Sequence, residues 1–189
     1  TDSVYRWLKR LSANNHGISY EDSQPYLACS SESQSALCRA VDTTCKPVNI
    51  ARTCGSFKKE GGSCKGLSAY PEATLDRYGM IRGKSAMQSE IYSRGPIACG
   101  IDATPLLNYT GGVVHERGSA VDHVIEVVGW GTDHWIVRNS WGSYWGESGF
   151  VRVGFGALHV EDECSWATLK TYVAPEKHNL TPCTEGGVC

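Results

Sequence analysis

His123 and Asn139 are the two residues of this chain whose types and spacing could do chemistry. His123 opens the apolar stretch HVIEVVGWG (123–131), and Asn139 follows the stretch WIVR (135–138), sixteen residues after the histidine. An imidazole acts as a general base when a second polar group fixes its tautomer and its ring orientation. A histidine in an apolar strand is more often a core residue, but the asparagine at this spacing favours a catalytic pair. Both residues lie in strand-like runs, so strands should hold them rigidly.

Five short phrases around these residues resemble the papain-like cysteine peptidases. They are VDHV (121–124), RNSWG (138–142), WGESGF (145–150), GPIA (95–98) and YTGGV (109–113). The resemblance extends over residues 3–166 and implies an α+β fold, with the remainder of a helical lobe beside an antiparallel, barrel-like lobe. We therefore expect helical-lobe residues at 1–66, the barrel-like lobe at 67–166 and a C-terminal tail at 167–189.

The same resemblance implies a role for each candidate site residue. His123 would deprotonate a cysteine thiol and later protonate the leaving amine, while Asn139 would accept a hydrogen bond from the other ring nitrogen. Trp141 would lie over that hydrogen bond and exclude water from it. Asp122 has two open interpretations, a pocket residue or a hydrogen-bond acceptor at the end of a strand. The family uses no cofactor, so none is expected.

The nucleophile has no evident candidate in the chain. In papain-like enzymes the reactive cysteine precedes the histidine by ~130 residues or more, which falls before residue 1. Cys54, in the phrase CGSF (54–57), lies only about 70 residues before His123 and occurs in a Gly- and Lys-rich loop. A helix N-terminus, which lowers a thiol's pKa, is not predicted there. We expect Cys54 to be a half-cystine and the nucleophile to lie on an N-terminal segment, so that the chain alone is inactive.

Nine cysteines indicate an oxidising compartment. No two of them show C-x₂-C spacing, which argues against a metal site. The resemblance implies three pairs, Cys29–Cys45, Cys54–Cys64 and Cys99–Cys164. Cys183 and Cys189 lie beyond the usual end of the family and could close a small loop on each other, which leaves Cys38 alone. An odd cysteine in a secreted protein indicates a partner elsewhere. We expect Cys38 to bond to the N-terminal segment.

Sequons, net charge and the length of apolar runs indicate the compartment and the partners of the protein. Asn108 and Asn179 stand in N-x-T sequons and are candidate glycosylation sites of a lysosomal, vacuolar or secreted protein. The net charge of −2 gives no reason to expect nucleic acid. No apolar run reaches the ~18–20 residues that a membrane span needs. The expected partners are a peptide or protein substrate and the N-terminal segment.

Hydrophobic periodicity predicts two helices, at 3–16 and 84–94, on either side of disulfide-stapled loops at 17–66. The apolar stripe of the first helix (Val4, Trp7, Leu8, Leu11) is expected in the core. Short runs broken by Gly pairs and Trp-Gly turns predict strands at 97–101, 121–128, 135–139 and 150–153. The tail after Trp166 is expected to be extended and weakly ordered.

Two functions remain open from the sequence. The first is a cysteine-type peptidase, with removal of single C-terminal residues as a narrower form. The alternative is a non-catalytic peptidase homologue that acts as a structural or assembly subunit. The presence of both His123 and Asn139 favours the enzyme, because a scaffold has no chemical need for either residue.

Overall fold

The structure is a computed structural model that describes residues 2–14, 16–29, 34–55 and 62–172. Its contacts divide the chain into two units, residues 1–10 with 75–168 and residues 11–74 with 169–189. The domain boundaries expected at residues 66 and 166 stay a prediction, because a division by contacts does not show which segments fold independently.

Besides a short 3₁₀ helix at Thr104–Leu106, the described elements are four α-helices and ten strands. In chain order they are α1 (Asp2–Ala13), β1 (Ile18–Ser19), α2 (Ala36–Arg39), α3 (Pro47–Ile50), β2 (Arg52–Cys54), β3 (Cys64–Gly66), β4 (Glu72–Ile81), α4 (Lys84–Arg94), β5 (Ile97–Ile101), β6 (Val113–Val114), β7 (His123–Trp130), β8 (His134–Arg138), β9 (Phe150–Gly154) and β10 (Cys164–Tyr172). No described helix is long and apolar enough to cross a membrane.

The first unit is built on a large sheet. Its strands are neighbours in the order β4, β10, β5, β7, β8, β9, β6. The pairs among β5, β7, β8 and β9 are antiparallel, and the short β6 pairs in parallel with β9. A mostly antiparallel sheet with few helices confirms the predicted α+β class.

Most of the described residues of the second unit lie in loops. β1 pairs with the first residues of β4, Glu72 and Ala73, and β2 pairs with β3. Gly17 lies where the chain approaches β4 closely, because a Cβ there would come within 2.5 Å of the Ala73 carbonyl oxygen. Its backbone N–H donates to the Glu72 carboxylate at 2.8 Å.

The core of the first unit lies on one face of β5, β7, β8 and β9. Alternate residues of these strands are fully or nearly fully buried, as a period of two requires when one sheet face is covered. α4 closes this core through Met87 and Ile91, which are 0% and 8% exposed. The buried strand residues are Ile97, Cys99, Ile101, Ile125, Val127, Trp135, Val137, Val151 and Val153.

The predicted helix at 84–94 is present with the same bounds as α4. It ends at Gly95, which has φ = 97° and whose N–H donates to the Ile91 carbonyl oxygen at 2.9 Å. α1, in contrast, ends at Ala13 rather than at 16, because Asn14 and His16 both turn back to bond the Leu11 carbonyl oxygen.

The expected core stripe of α1 is wrong at its first two positions. Val4 is 60% exposed and Trp7 is 53% exposed. The helix instead contacts β4 through Lys9, whose ammonium group donates to the Asp76 carbonyl oxygen. Periodicity identified the helix, but it did not identify which of its side chains are buried.

Two long strands, β4 and β10, were not predicted. Both mix polar and charged residues with apolar ones. β10 continues through residues 167–172, so the expectation of a weakly ordered tail is wrong for those residues. Gly79 is required in β4, because a Cβ there would come within 2.9 Å of the Trp166 indole ring of β10. The Arg94 guanidinium lies over that same ring, 4.0 Å from its centroid.

The disulfides correct part of the expected pairing. Cys54–Cys64 and Cys99–Cys164 are bonded. Cys29, however, is bonded to Cys38 and not to Cys45, which is free and exposed. The expectations that Cys29 pairs with Cys45 and that Cys38 is the odd cysteine are therefore wrong. The Cα atoms of Cys29 and Cys38 lie 5.2 Å apart, a separation that a disulfide spans without backbone movement.

The Cys99–Cys164 bond should contribute most to stability. It closes a separation of 65 residues, compared with 10 for Cys54–Cys64, and a longer loop removes more entropy from the unfolded chain. Replacing Cys99 and Cys164 by alanine should lower the free energy of unfolding by about 4 kcal/mol, and the matched Cys54/Cys64 replacement by about 3 kcal/mol. Urea unfolding of the two double variants measures this, and an equal or smaller loss in the Cys99/Cys164 variant would contradict it.

Candidate active site

The antiparallel pair β7–β8 brings His123 and Asn139 to the same end of the sheet. His123 is the first residue of β7 and pairs with Ile101 at the end of β5. Asn139 directly follows β8, whose last residue, Arg138, pairs with Glu126. Because antiparallel strands place the start of one beside the end of the other, a spacing of sixteen residues through one hairpin makes the two side chains neighbours.

The strand period also places both side chains on the core-facing side. His123 is in phase with Ile125 and Val127, and Asn139 is in phase with Trp135 and Val137. These four neighbours are at most 4% exposed. The pair is therefore carried on two strands that are fixed by the core, which gives the positional precision that catalysis needs.

The structure brings His123 and Asn139 into contact. His123 Nε2 lies 2.9 Å from Asn139 Oδ1. An amide oxygen only accepts, so this hydrogen bond requires the proton on Nε2 and leaves Nδ1 as the acceptor nitrogen of the neutral ring. Asn139 Oδ1 also accepts the Ser140 N–H at 2.8 Å. The buried Asn139 Nδ2 has no hydrogen-bond partner among the described residues.

Trp141 lies against the histidine ring. The ring centroids of Trp141 and His123 are 5.2 Å apart with an interplanar angle of 35°. Trp141 is 37% exposed, and its other neighbour is Trp145, 5.1 Å away in an edge-on arrangement. Trp145 is anchored by its indole N–H, which donates to the Leu106 carbonyl oxygen at 3.1 Å.

Asp122 makes contacts that fit the strand-end acceptor interpretation. Its carboxylate accepts the Ala103 N–H at 2.8 Å and the Thr104 hydroxyl at 3.3 Å. Buried Asp102 holds the same region by accepting the N–H groups of Ser119 and Thr104. These hydrogen bonds, that from Ser119 first, lower the pKa of Asp102. Together the two carboxylates tie the segment that precedes His123 to the end of β5.

Sequence reasoning missed the network around Glu147. The Glu147 carboxylate forms a bidentate ion pair with Arg152 and accepts the Gly112 N–H at 3.2 Å. The Arg152 guanidinium lowers the pKa of Glu147 to about 2. Glu147 stands within the phrase WGESGF, and Arg152 follows it on the next strand, but Gly112 lies 35 residues earlier, so no spacing rule could connect all three.

The Glu147–Arg152 pair predicts an acid-dependent loss of stability. Since folding lowers the pKa of Glu147 from 4.5 to about 2, the ionised carboxylate contributes fully above about pH 4.5, and that contribution is lost as the pH falls through about 2. The free energy of unfolding of the wild type should therefore fall more steeply over this range than that of Glu147→Gln. Urea unfolding at stepped pH measures the difference, and parallel curves would contradict it.

The other expected sites are placed as follows. Both cysteines of the first unit, Cys99 and Cys164, are bonded to each other and buried. Asn108 lies in an exposed turn, whereas Asn179, Cys183 and Cys189 lie outside the described residues. Within the described part of the chain, no group of three or more His, Cys, Asp or Glu side chains could hold a metal ion.

A histidine that is hydrogen-bonded to an asparagine is a feature of one class of hydrolases with a nucleophilic site. Comparison with known proteins agrees with this class. The family described as papain family cysteine protease matches residues 1–174. The chain belongs to the papain family of cysteine proteases.

Individual relatives show the same relationship. The chain is 40% identical to cathepsin Z of Onchocerca volvulus over 136 residues, which cover 61% of this chain and 44% of that protein. It is 28% identical to cathepsin L of Sarcophaga peregrina over 183 residues, which cover 90% of this chain and 43% of the relative. The chain thus spans less than half the length of these curated relatives.

A solved structure supports the fold. The Carica candamarcensis cysteine protease CMS1MS2, determined in complex with E-64, matches with a TM-score of 0.57 at 23% identity. The match covers 86% of this chain and 65% of the other. This likeness confirms a papain-like fold, as the sequence predicted.

Proposed function

We propose that this chain supplies the base and the orienting amide of a cysteine peptidase whose nucleophilic cysteine lies on a segment N-terminal to residue 1. The observation that carries the proposal is the 2.9 Å contact between His123 Nε2 and Asn139 Oδ1. This contact leaves Nδ1 as the ring nitrogen that can take a proton from a thiol. The substrate is a peptide or protein.

The chemistry follows from that arrangement. His123 Nδ1 takes the thiol proton, and the resulting imidazolium stabilises the thiolate. The thiolate attacks the scissile carbonyl carbon, and His123 returns the proton to the leaving amine as the C–N bond breaks, which leaves a thioester. Water, deprotonated by His123, then hydrolyses the thioester and regenerates the thiol. Asn139 holds the ring in the same orientation through each proton transfer.

Two observations support an external nucleophile. The cysteines that share a unit with His123, Cys99 and Cys164, are consumed by their disulfide, and Cys54 is bonded to Cys64. The curated relatives are more than twice as long as the part that matches. A covalent link to the external segment through Cys38 is not part of the proposal, because Cys38 is bonded to Cys29.

Intact-mass analysis of the natural protein, before and after reduction, tests the proposal. We expect the natural protein to contain a further segment besides the 189 residues. This segment should carry at least one cysteine and should be held by a peptide bond, a disulfide or tight association. Hydrolysis of unstructured peptides should require that extension. A natural form that consists of these residues alone and cleaves peptides would overturn the proposal. An extended form with no activity on any peptide would favour the structural subunit.

A narrower proposal concerns substrate and compartment. The likeness to cathepsin Z supports an exopeptidase that removes single C-terminal residues. The disulfides and the exposed sequon at Asn108 support a lysosomal or secreted glycoprotein. Matched peptides with free and amidated C-termini test the first point, because an exopeptidase of this kind cleaves only the free form. Glycosidase digestion followed by mass analysis tests the second.

A further inference from the structure

The Glu147 carboxylate joins its own loop to the strand that follows it and to a segment 35 residues earlier in the sequence. Its oxygens accept from Arg152 Nε at 2.9 and 3.2 Å and from Arg152 Nη2 at 2.5 Å, which connects the 142–149 loop to β9. The same carboxylate accepts the Gly112 N–H at 3.2 Å, which connects the loop to the segment before β6. A bidentate Arg–carboxylate pair fixes both distance and orientation.

This carboxylate belongs to the loop that returns to Asn139. The Asn139 N–H donates to the Gly149 carbonyl oxygen at 3.0 Å, and the Gly149 N–H donates to the Trp145 carbonyl oxygen at 2.8 Å. The Glu147 N–H donates to the Phe150 carbonyl oxygen at 2.9 Å. The backbone of Asn139 is therefore held by a residue two positions from Glu147.

A row of aromatic rings connects the other side of the network to His123. The Tyr109 hydroxyl donates to the Gly112 carbonyl oxygen at 2.6 Å, and its ring lies 5.6 Å from that of Trp145. Trp145 contacts Trp141, and Trp141 contacts His123, at centroid distances of 5.1 and 5.2 Å. Both groups that touch the imidazole, Asn139 and Trp141, thus lie directly before the 142–149 loop that Glu147 secures.

We propose that Glu147 is a positioning residue of the active site: its ion pair with Arg152 and its bond to Gly112 hold Asn139 and Trp141 against His123. This inference rests on the proposed function of the site. Glu147 does not touch the reacting groups. Its carboxylate stays ionised in acidic compartments because Arg152 lowers its pKa to about 2. The bonds from Glu147 to Arg152 and Gly112 therefore persist at lysosomal pH.

A second Glu–Arg pair in the same unit provides a matched control. Glu90 and Arg94 also form a bidentate pair, and Glu90 is 6% exposed. This pair lies within α4 and connects no loop to the site. Glu90→Gln should therefore lower stability, as Glu147→Gln does, without changing the surroundings of His123.

The test compares Glu147→Gln, Arg152→Lys and Glu90→Gln in the full-length protein. The readouts are the ¹⁵N chemical shifts of the His123 ring, the indole N–H resonance of Trp141 and the melting temperature. We expect the first two variants to shift both signals and Glu90→Gln to leave them unchanged, although all three melt earlier. Arg152→Lys keeps the positive charge but loses the bidentate geometry of the guanidinium group. It therefore tests the positioning role if Glu147→Gln fails to fold. Wild-type signals in folded Glu147 and Arg152 variants, or equal shifts in Glu90→Gln, would overturn the proposal.

Kinetic measurements distinguish a failure of this proposal from a failure of the proposed function on which it rests. In an active full-length enzyme, Glu147→Gln should lower kcat about tenfold with little change in KM, because misplaced catalytic groups slow the chemical step. If the full-length protein has no peptidase activity but the His123 signals still shift, the proposed function fails and the positioning role stands. If the enzyme is active and Glu147→Gln changes neither kcat nor the spectra, the positioning role fails alone.

Discussion

Replacing His123 by alanine in the full-length protein should lower kcat/KM for peptide hydrolysis by about a thousandfold or more. The imidazole is both the base that generates the thiolate and the acid that protonates the leaving amine, so the variant loses both steps at once. The loss should appear mainly in kcat. It should not be accompanied by a large loss of stability, because His123 is only half-buried at the end of β7.

His16→Ala is the matched control for this variant. His16 is exposed and is not part of the pair, so its removal should leave kcat/KM within about twofold of the wild type. A His123→Ala enzyme that keeps a tenth or more of the wild-type kcat/KM would show that another group acts as the base.

Asn139→Ala should lower kcat by roughly 10- to 100-fold with little change in KM. A hydrogen bond to a charged group is worth about 1.5–3 kcal/mol, and each ~1.4 kcal/mol is a factor of ten in rate. The lost interaction is the bond from His123 Nε2 to Asn139 Oδ1. Without it, the ring samples the wrong tautomer and other orientations.

Asn139→Asp distinguishes the amide oxygen from the amide nitrogen. Aspartate keeps an acceptor at Oδ1 and removes Nδ2, which has no partner among the described residues. We therefore expect Asn139→Asp to retain most of the kcat that Asn139→Ala loses. Equal losses in the two variants would show that the acceptor at Oδ1 does not orient the ring.

The strands that carry the site could be predicted from the sequence because they are short runs bounded by glycines and Trp-Gly turns. The runs at 97–101 and 135–139 are of this kind, and the structure has strands there as β5 and β8. The His–Asn contact was expected from the sixteen-residue spacing and the family resemblance, and in the structure a single hairpin relates the two residues. Local pattern and tertiary contact agree in this part of the chain.

The missed features depend on contacts between distant segments. β10 mixes lysine and threonine with apolar residues, so its pattern resembles a polar tail, and only its neighbours in the sheet make it a strand. Glu147 has partners at Gly112 and Arg152, which a turn and a strand bring together. A sequence motif identifies a residue of this kind but not the groups it joins.

The cysteine-rich loops show a second limit. Residues 29–45 have little periodicity, and sequence alone does not determine connectivity among several cysteines. The pairing taken from the family resemblance placed Cys29 with Cys45, whereas the structure joins Cys29 to Cys38. The expected Cys54–Cys64 bond is present because β2 and β3 pair those two residues directly.

Labelling with an active-site-directed, thiol-reactive epoxide, followed by peptide mapping, tests most directly whether His123 and Asn139 activate a cysteine thiol that lies outside these 189 residues. In the full-length protein we predict one rapidly labelled cysteine that is none of the nine in these 189 residues. Its labelling should be lost in His123→Ala and slowed in Asn139→Ala. Rapid labelling of Cys45 that abolishes hydrolysis, or labelling that does not depend on His123, would contradict the account.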